Sequence, residues 1–232
     1  MTRVYLVRHG STEWNESRRF QGHHDVPLSA LGRAQAARVA IRLSVEPIDV
    51  GYSSDLLRAH ETAQIIVGER PIPIITDVRL RECCFGEWEG LRHDEIAVRD
   101  PELWEAYLGN PAENCPPGGE SLNVLAERVA AGFRALAGAP ITPGETEEPS
   151  GWFAAGSTSP RGVLLASHGA ALGVLLRALL GFDPGRERGL PIRPASLSIV
   201  ELGPHGTEAL VIGDTSHLEG LEETRAAWPT RA

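Results

Sequence analysis

The sequence predicts an α/β protein in which a mostly parallel sheet lies between two layers of helices, a three-layer α/β/α arrangement with a small helical cap. Three observations carry this expectation. Short β-branched apolar runs alternate along the chain with longer segments whose apolar residues recur at helical spacing. Strand-helix-strand alternation closes parallel strands through helical crossovers, which cover both faces of the sheet. Finally, two of the apolar runs end on a histidine-glycine step, Arg8-His9-Gly10 and Ser167-His168-Gly169.

The elements follow in order. Val4-Tyr5-Leu6-Val7 is a buried strand. Ser29 to Leu43 is a helix, with Ser29 as N-cap and Leu31, Ala34, Ala37 and Ile41 at helical spacing. Ile48 to Ser53 is a second strand and Leu56 to Val67 a second helix. Ile72-Pro73-Ile74-Ile75 is a short strand at a sheet edge, because proline cannot donate to a ladder. Leu91 to Leu108 is helical but broken at Asp100-Pro101. Glu120 to Leu136, just after Gly118-Gly119, is an amphipathic helix. Val163 to Ala166 is another buried strand that leads through Ser167-His168-Gly169 into a helix ending at Leu180. Ser196 to Leu202 and Glu208 to Ile212 form a closing hairpin. Residues 139–161, rich in Pro, Gly, Ser, Thr and Glu without periodicity, read as a long flexible surface loop. The expected organisation is one domain over 1–232, with the cap at roughly 85–117.

The 232 residues carry 22 basic and 31 acidic side chains, a net charge of -9, and all 22 basic residues are arginine. A chain without lysine cannot build a Walker P-loop, a pyridoxal Schiff base, a lysine nucleophile or the kinase strand lysine. Its acidity gives no general attraction for nucleic acid or anionic lipid, so neither is an expected partner. Affinity for an anion has to come from a local cluster of arginine and histidine. Cys83, Cys84 and Cys115 provide neither a disulfide framework nor a zinc spacing. The opening MTRVYLVRHG is too short in apolar residues for a signal segment, and no run approaches a membrane span. A soluble, cytoplasmic protein is expected. The oligomeric state is left open, a homodimer among the options.

Arg8, His9 and His168 directly follow strands, and Arg58 sits in the first turn of the helix after another. In a parallel sheet these positions share the carboxyl edge, where open α/β folds bind ligands. Two arginine forks and two imidazoles meeting there suit a phosphoryl group. Taken singly, Arg58 reads as a helix-surface residue and either histidine as incidental; the twice-repeated strand-(Arg/Ser)-His-Gly-helix pattern argues otherwise. Gly10 and Gly169 read as turn glycines. His23 and His24 face the pocket mouth or form a solvated loop pair. Glu87 and Glu89, flanking Trp88, are expected to be solvated, Cys83 and Cys84 to serve packing, and Trp104 with Tyr107 either to line the substrate mouth or to anchor the cap. His60 lacks an evident partner.

Leu6-Val7-Arg8-His9-Gly10-Ser11-Thr12-Glu13-Trp14-Asn15 resembles the signature of the histidine phosphatase, or phosphoglycerate mutase-like, superfamily. The resemblance continues through Gln21-Gly22, Asp25 to Ser29, Ser53 to Ala59, Leu80-Arg81-Glu82, Phe85 to Gly90, Gly118 to Ser121, Ser167-His168-Gly169 and Asp214 to Leu218. It covers nearly all of the chain except 139–161. The resemblance implies that His9 is a nucleophile forming a phosphohistidine, that Arg8, Arg58 and His168 bind the phosphoryl oxygens, and that Glu82 is the proton donor and then the base for water. Asn15, Gln21, Gly22 and Gly169 would complete the phosphate pocket. No metal or organic cofactor is implied, since the arginines supply the charge.

Within such a family, a phosphatase is expected over a mutase. The segment Gly90 to Pro117 is short and offers only Arg92 and Arg99 against Asp94, Glu95, Asp100, Glu102, Glu105 and Glu113, so a second phosphate clamp is missing. The acidic cap also argues against a highly anionic substrate and for a small phosphorylated metabolite. Two alternatives stand beside this expectation: mutase-type transfer, and a non-catalytic protein that binds a phosphorylated ligand.

Overall fold

Val4 to Val7 offers no polar position to face water, so the strand has to be covered on both sides. In the computed structural model, which describes residues 1–137, 160–182, 189–203 and 206–221, that run forms β1 (Thr2–Arg8) in the interior of a sheet. There follow α1 (Glu13–Glu16), α2 (Ala30–Arg42), β2 (Val50–Ser53), α3 (Leu57–Val67), β3 (Ile74–Thr76), α4 (His93–Arg99) and α5 (Pro101–Gly109). The chain continues through α6 (Leu122–Ala137), β4 (Gly162–Ser167), α7 (Gly169–Leu179), β5 (Leu197–Gly203) and β6 (Gly206–Asp214). The expected loop lies outside the described residues as far as 159.

The six described strands are ordered β3-β2-β4-β1-β5-β6. β3, β2, β4 and β1 are parallel, and β5 is antiparallel to both β1 and β6. Alternate residues of each central strand enter different cores. Val4, Leu6, Val163 and Leu165 pack with α6 and α7 through Leu125, Val129, Phe133, Leu172 and Leu175. Tyr5, Val7, Leu164 and Ala166 pack with α2 and α3 through Val39, Leu43, Ala63 and Ile66. Two cores on one sheet make the three layers. Trp88, Ile96, Trp104 and Tyr107 of the 85–117 segment join the first of these cores.

Local chemistry explains the boundaries. Ser29 accepts a hydrogen bond from the Gly32 amide, as an N-cap does. Pro101 opens α5 after α4 has ended, and the intervening Asp100 accepts from the Trp88 indole at 2.8 Å. α1 is an element the periodicity does not reveal, being a single turn. It is closed by reciprocal bonds, Asn15 N–H to Thr12 Oγ1 at 3.2 Å and Thr12 N–H to Asn15 Oδ1 at 3.0 Å.

Gly10 is more than a turn glycine. A β-carbon there would lie 2.2 Å from the Gly32 carbonyl oxygen, and one on Gly32 would lie 2.0 Å from that of Ser11. The loop after β1 therefore rests backbone to backbone on the first turn of α2. Gly32→Ala should cost about 1–3 kcal/mol of folding free energy, the usual penalty for forcing a group into packed space. A urea midpoint equal to that of the parent would contradict this contact.

Candidate active site

Strand register brings distant residues to one edge. Arg8 lies opposite Ser167 in the β1–β4 pair, and Ser53 opposite Ala166 in the β2–β4 pair. The ladder runs one step further: the His9 amide donates to the Ser167 carbonyl at 2.9 Å and the Ser54 amide to the Ala166 carbonyl at 3.1 Å. All three strands thus end at one level. Beyond it stand His9, His168 as N-cap of α7, and Arg58 in the first turn of α3. The His9 and His168 rings meet edge to face with centroids 5.2 Å apart.

The protonation of His9 follows from its contacts. Its Nδ1 is 2.7 Å from the Gly10 carbonyl oxygen. A carbonyl only accepts, so Nδ1 carries the proton and Nε2 keeps its lone pair. Burial, reinforced by the Arg58 and Arg8 charges, holds the ring well below its ordinary value of 6.5. His168 is held down in the same way by burial, then by Arg58, His9 and Arg8. Both of its ring nitrogens are buried without a hydrogen-bond partner.

The arginines are tied at one end only. Arg8 Nη1 donates to the Ile192 carbonyl at 2.7 Å, while its Nε is buried without a partner. Arg58 donates from Nη1 to His24 O at 2.7 Å and from Nη2 to Gly22 O at 2.8 Å, and its Nε is likewise orphaned. Burial lowers the Arg58 guanidinium to about 10, against partial support from Glu82. Buried donors without acceptors are costly and uncommon. An oxyanion is the ligand that satisfies such a set.

Glu82 is buried on the positive end of α7. Its Oε1 accepts from the amides of Cys83 at 3.0 Å, Ala170 at 3.1 Å and Ala171 at 3.2 Å. Oε2 has a single longer contact, 3.3 Å from the Ala170 amide. Gly169 leaves room for Arg8, whose Cζ and Nη1 would lie 3.2 Å from a β-carbon at that position. Gln21 is buried with its Oε1 unpartnered. Asn15 is buried as well, with Oδ1 occupied by Thr12. Gly22, at φ +50, contributes its carbonyl to Arg58.

One side chain differs from expectation. Glu89 is not solvated: its side chain is only 8% exposed and accepts from the His23 amide at 3.0 Å, the Phe85 amide at 3.0 Å and His24 Nδ1 at 2.8 Å. Burial pushes its carboxyl up, but these donors outweigh that and hold it below its ordinary value. A β-carbon at Gly22 would fall 1.9 Å from Glu89 Oε1, so Glu89 shapes the loop that grips Arg58. Glu87 is exposed, as expected, and pairs with Arg99. His23 donates from Nε2 to the Glu82 carbonyl at 3.0 Å, whereas His24 is exposed. Trp104 and Tyr107 are buried around Trp88, at 5.6 and 5.4 Å between ring centroids, and anchor the cap. Cys83 is buried in the core, where burial raises its thiol well above the ordinary value.

Ala195 and His217 support the end of β1 from the far end of the chain. The Ala195 amide donates to the carbonyls of Arg8 and His9, at 3.1 Å each, and His217 Nε2 donates to the Ala195 carbonyl at 3.0 Å. No local pattern marks Ala195, whose positive φ of 54 is set by this contact. Among the described residues, no three His, Cys, Asp or Glu side chains group as a metal ion would require, and no helix is long and apolar enough to cross a membrane.

A carboxyl-edge cluster of two buried guanidinium groups and two neutral imidazoles belongs to proteins that handle phosphoryl-like oxyanions. The family model for the histidine phosphatase superfamily (branch 1) matches residues 4–146 and 150–215, and the chain belongs to that superfamily. A curated relative from Yersinia enterocolitica, named probable phosphoglycerate mutase GpmB, is 39% identical over 225 residues, covering 94% of this chain and 96% of its own. Among solved structures, YhfR of Bacillus stearothermophilus superposes with a TM-score of 0.79 at 34% identity, covering 94% of this chain and all (100%) of that one. A mycobacterial glucosyl-3-phosphoglycerate phosphatase in complex with VO3 superposes with a TM-score of 0.72 at 30% identity, covering 91% and 98%.

The two depressed imidazoles have a consequence for stability. Below about pH 6.5 the unfolded chain protonates histidines that the folded protein keeps neutral, so stability should decline as pH falls through that value. Above it both states are neutral and the contribution is constant. Nitrogen-15 imidazole spectra at pH 6 should show His9 as the Nδ1–H tautomer. An imidazolium signal for His9 there would contradict the arrangement.

Proposed function

We propose that the protein is a phosphomonoester hydrolase that works through a phosphohistidine on His9 and acts on a small phosphorylated metabolite. The observation that carries this reading is the His9 ring itself, with Nδ1–H committed to the Gly10 carbonyl and Nε2 unprotonated between two arginines. In the first transfer Nε2 attacks phosphorus, the ester P–O bond breaks, and the leaving oxygen takes a proton from Glu82. In the second, Glu82 removes a proton from water as that water attacks phosphorus. The P–N bond then breaks, releasing inorganic phosphate and returning neutral His9.

Arg8, Arg58 and His168 hold the non-bridging oxygens and take up the charge that spreads over them during transfer. Neutral His168, with both nitrogens unpartnered, can turn a donor toward the phosphoryl group. Three amides hold Glu82 Oε1, so Oε2 is the oxygen that moves the proton. Gln21, Asn15 and the Gly169 amide border the phosphate, and Gly22 acts on it through Arg58. In this reading the guanidinium groups provide the positive charge and no metal or organic cofactor takes part. The acidic net charge and the small polar site fit a cytoplasmic enzyme of small molecules rather than of nucleic acid or membranes.

The cap favours water as the final acceptor. Arg92 is bound to Asp94 at 2.7 Å, and Arg99 to Glu87 and, at 3.5 Å, to Asp100. Both are already paired with carboxylates, so neither brings an uncompensated charge to a second anionic group, which a mutase substrate would carry. Mutase-type transfer remains the second reading because curated relatives bear that name.

His9→Ala should lose about a thousandfold or more in rate, as removal of a covalent nucleophile does. Quenching the wild-type reaction in base should retain phosphate on His9, and acid should release it. More than a tenth of wild-type activity in His9→Ala would end the covalent reading. With a phosphoglycerate as substrate, inorganic phosphate should appear faster than the positional isomer, and EDTA should leave the rate unchanged. The reverse order of products would install the mutase reading.

A further inference from the structure

Glu82 lies on irregular backbone between the 3-10 turns Val78–Leu80 and Gly86–Trp88, where no sheet ladder or helix holds it. Its carbonyls are nonetheless taken one after another. Arg128, from α6, donates from Nη1 to Arg79 O at 2.9 Å and to Arg81 O at 3.0 Å, and from Nη2 to Glu82 O at 2.9 Å. Leu80 O accepts from the Ser167 hydroxyl at 2.7 Å, one residue before His168. The other edge of the guanidinium is bidentate to Glu120, with Nε to Oε1 at 2.8 Å and Nη2 to Oε2 at 2.7 Å. Glu120 closes the frame: its Oε2 accepts from the Cys84 amide at 3.1 Å, and its amide donates to Cys84 O at 2.8 Å.

We infer that Arg128, locked by Glu120, is a positioning residue for the proton transfer carried out by Glu82, an inference that rests on the acid role proposed above. One planar fork spans three carbonyls and a carboxylate at once, so it fixes the residue 79–82 backbone from which Glu82 reaches the α7 amides and the leaving oxygen. Lysine, a single point charge on a flexible stem, cannot make this set of contacts. Glu120 neutralises the guanidinium locally, which leaves geometry, rather than added positive charge beside Glu82, as what Arg128 supplies. The histidine and arginine side of the pocket makes none of these bonds. Loss of Arg128 should therefore affect the leaving group and spare the phosphoryl group.

The test compares kcat/KM for an alkyl phosphate and for p-nitrophenyl phosphate, since kcat/KM reports transfer to His9 and not the later hydrolysis. Glu82→Gln is the reference arm and should lose far more on the alkyl ester, whose leaving oxygen needs a proton. Arg128→Met should lose about a hundredfold on the alkyl ester, the scale of an ångström-sized misplacement, and less than about threefold on the aryl ester. Arg128→Lys, a milder change that keeps the charge without the fork, should show the same selective loss and serves if the methionine variant does not fold. The double variant Glu82→Gln/Arg128→Met should be no worse on the alkyl ester than Glu82→Gln alone, because one residue acts through the other. Inhibition by inorganic phosphate should be unchanged in both Arg128 variants. Equal losses on the two esters, no loss, or additive losses in the double variant would overturn the positioning role while leaving Glu82 as the acid. A uniform loss in Glu82→Gln would overturn the acid role itself, and the inference with it.

Discussion

Two guanidinium groups, Arg58 fully buried and Arg8 partly so, neither with a direct carboxylate partner among the described residues, set the terms for the rest of the site. Arg8 is held beneath the Ile192 carbonyl. Desolvating such charges is expensive, and the protein answers with backbone carbonyls from Ile192, Gly22 and His24 rather than with ion pairs. A carboxylate in direct contact would have cancelled that charge locally. Glu82 stands at longer range from both arginines, and its Oε1 is held by amides at the start of α7. Burial first, and the arginine charges after it, keep both imidazoles neutral.

The cap is built on the opposite economy. Its arginines are spent on nearby acids, Arg92 on Asp94 and Arg99 on Glu87 and Asp100, and its aromatic residues pack on one another. Trp88, Trp104 and Tyr107 share a core with β1 and β4, so the cap is fastened to the sheet whose edge carries His9 and His168. Between cap and sheet runs the segment with Glu82, held by Arg128, Ser167 and His23. The arginine and histidine side of the pocket and the Glu82 side thus have separate supports.

Some residues were unreadable for a definite reason. Glu87 and Glu89 flank the same tryptophan, and nothing local tells them apart. One is exposed and pairs with Arg99, while the other, half-buried, lies against Gly22 and sets the loop that holds Arg58. Arg128 looks like one more arginine on an amphipathic helix, and Ala195 carries no functional group at all. Gly10 reads as a turn residue until Gly32 is seen against it. Apart from Glu87, whose partner Arg99 is 12 residues on, the deciding contact comes from a segment more than twenty residues away.

The sequence by itself determined what depends on local chemistry and on the order of elements. Unbroken apolar runs required strands covered on both faces, Ser29 and Pro101 placed helix starts, the absence of lysine removed whole classes of catalysis, and strand-helix alternation put Arg8, His9, Arg58 and His168 at a common edge. Tertiary structure alone decided what depends on register and on packing between distant segments. The pairing of Arg8 with Ser167 brings the imidazoles to 5.2 Å, the Gly10 carbonyl selects the His9 tautomer, and Arg128 with Glu120 fixes the backbone of Glu82. The physical reason is range. Propensity, capping and periodicity act over one or two turns, whereas hydrogen bonding in a dry pocket depends on tenths of an ångström between groups that only the folded chain brings together.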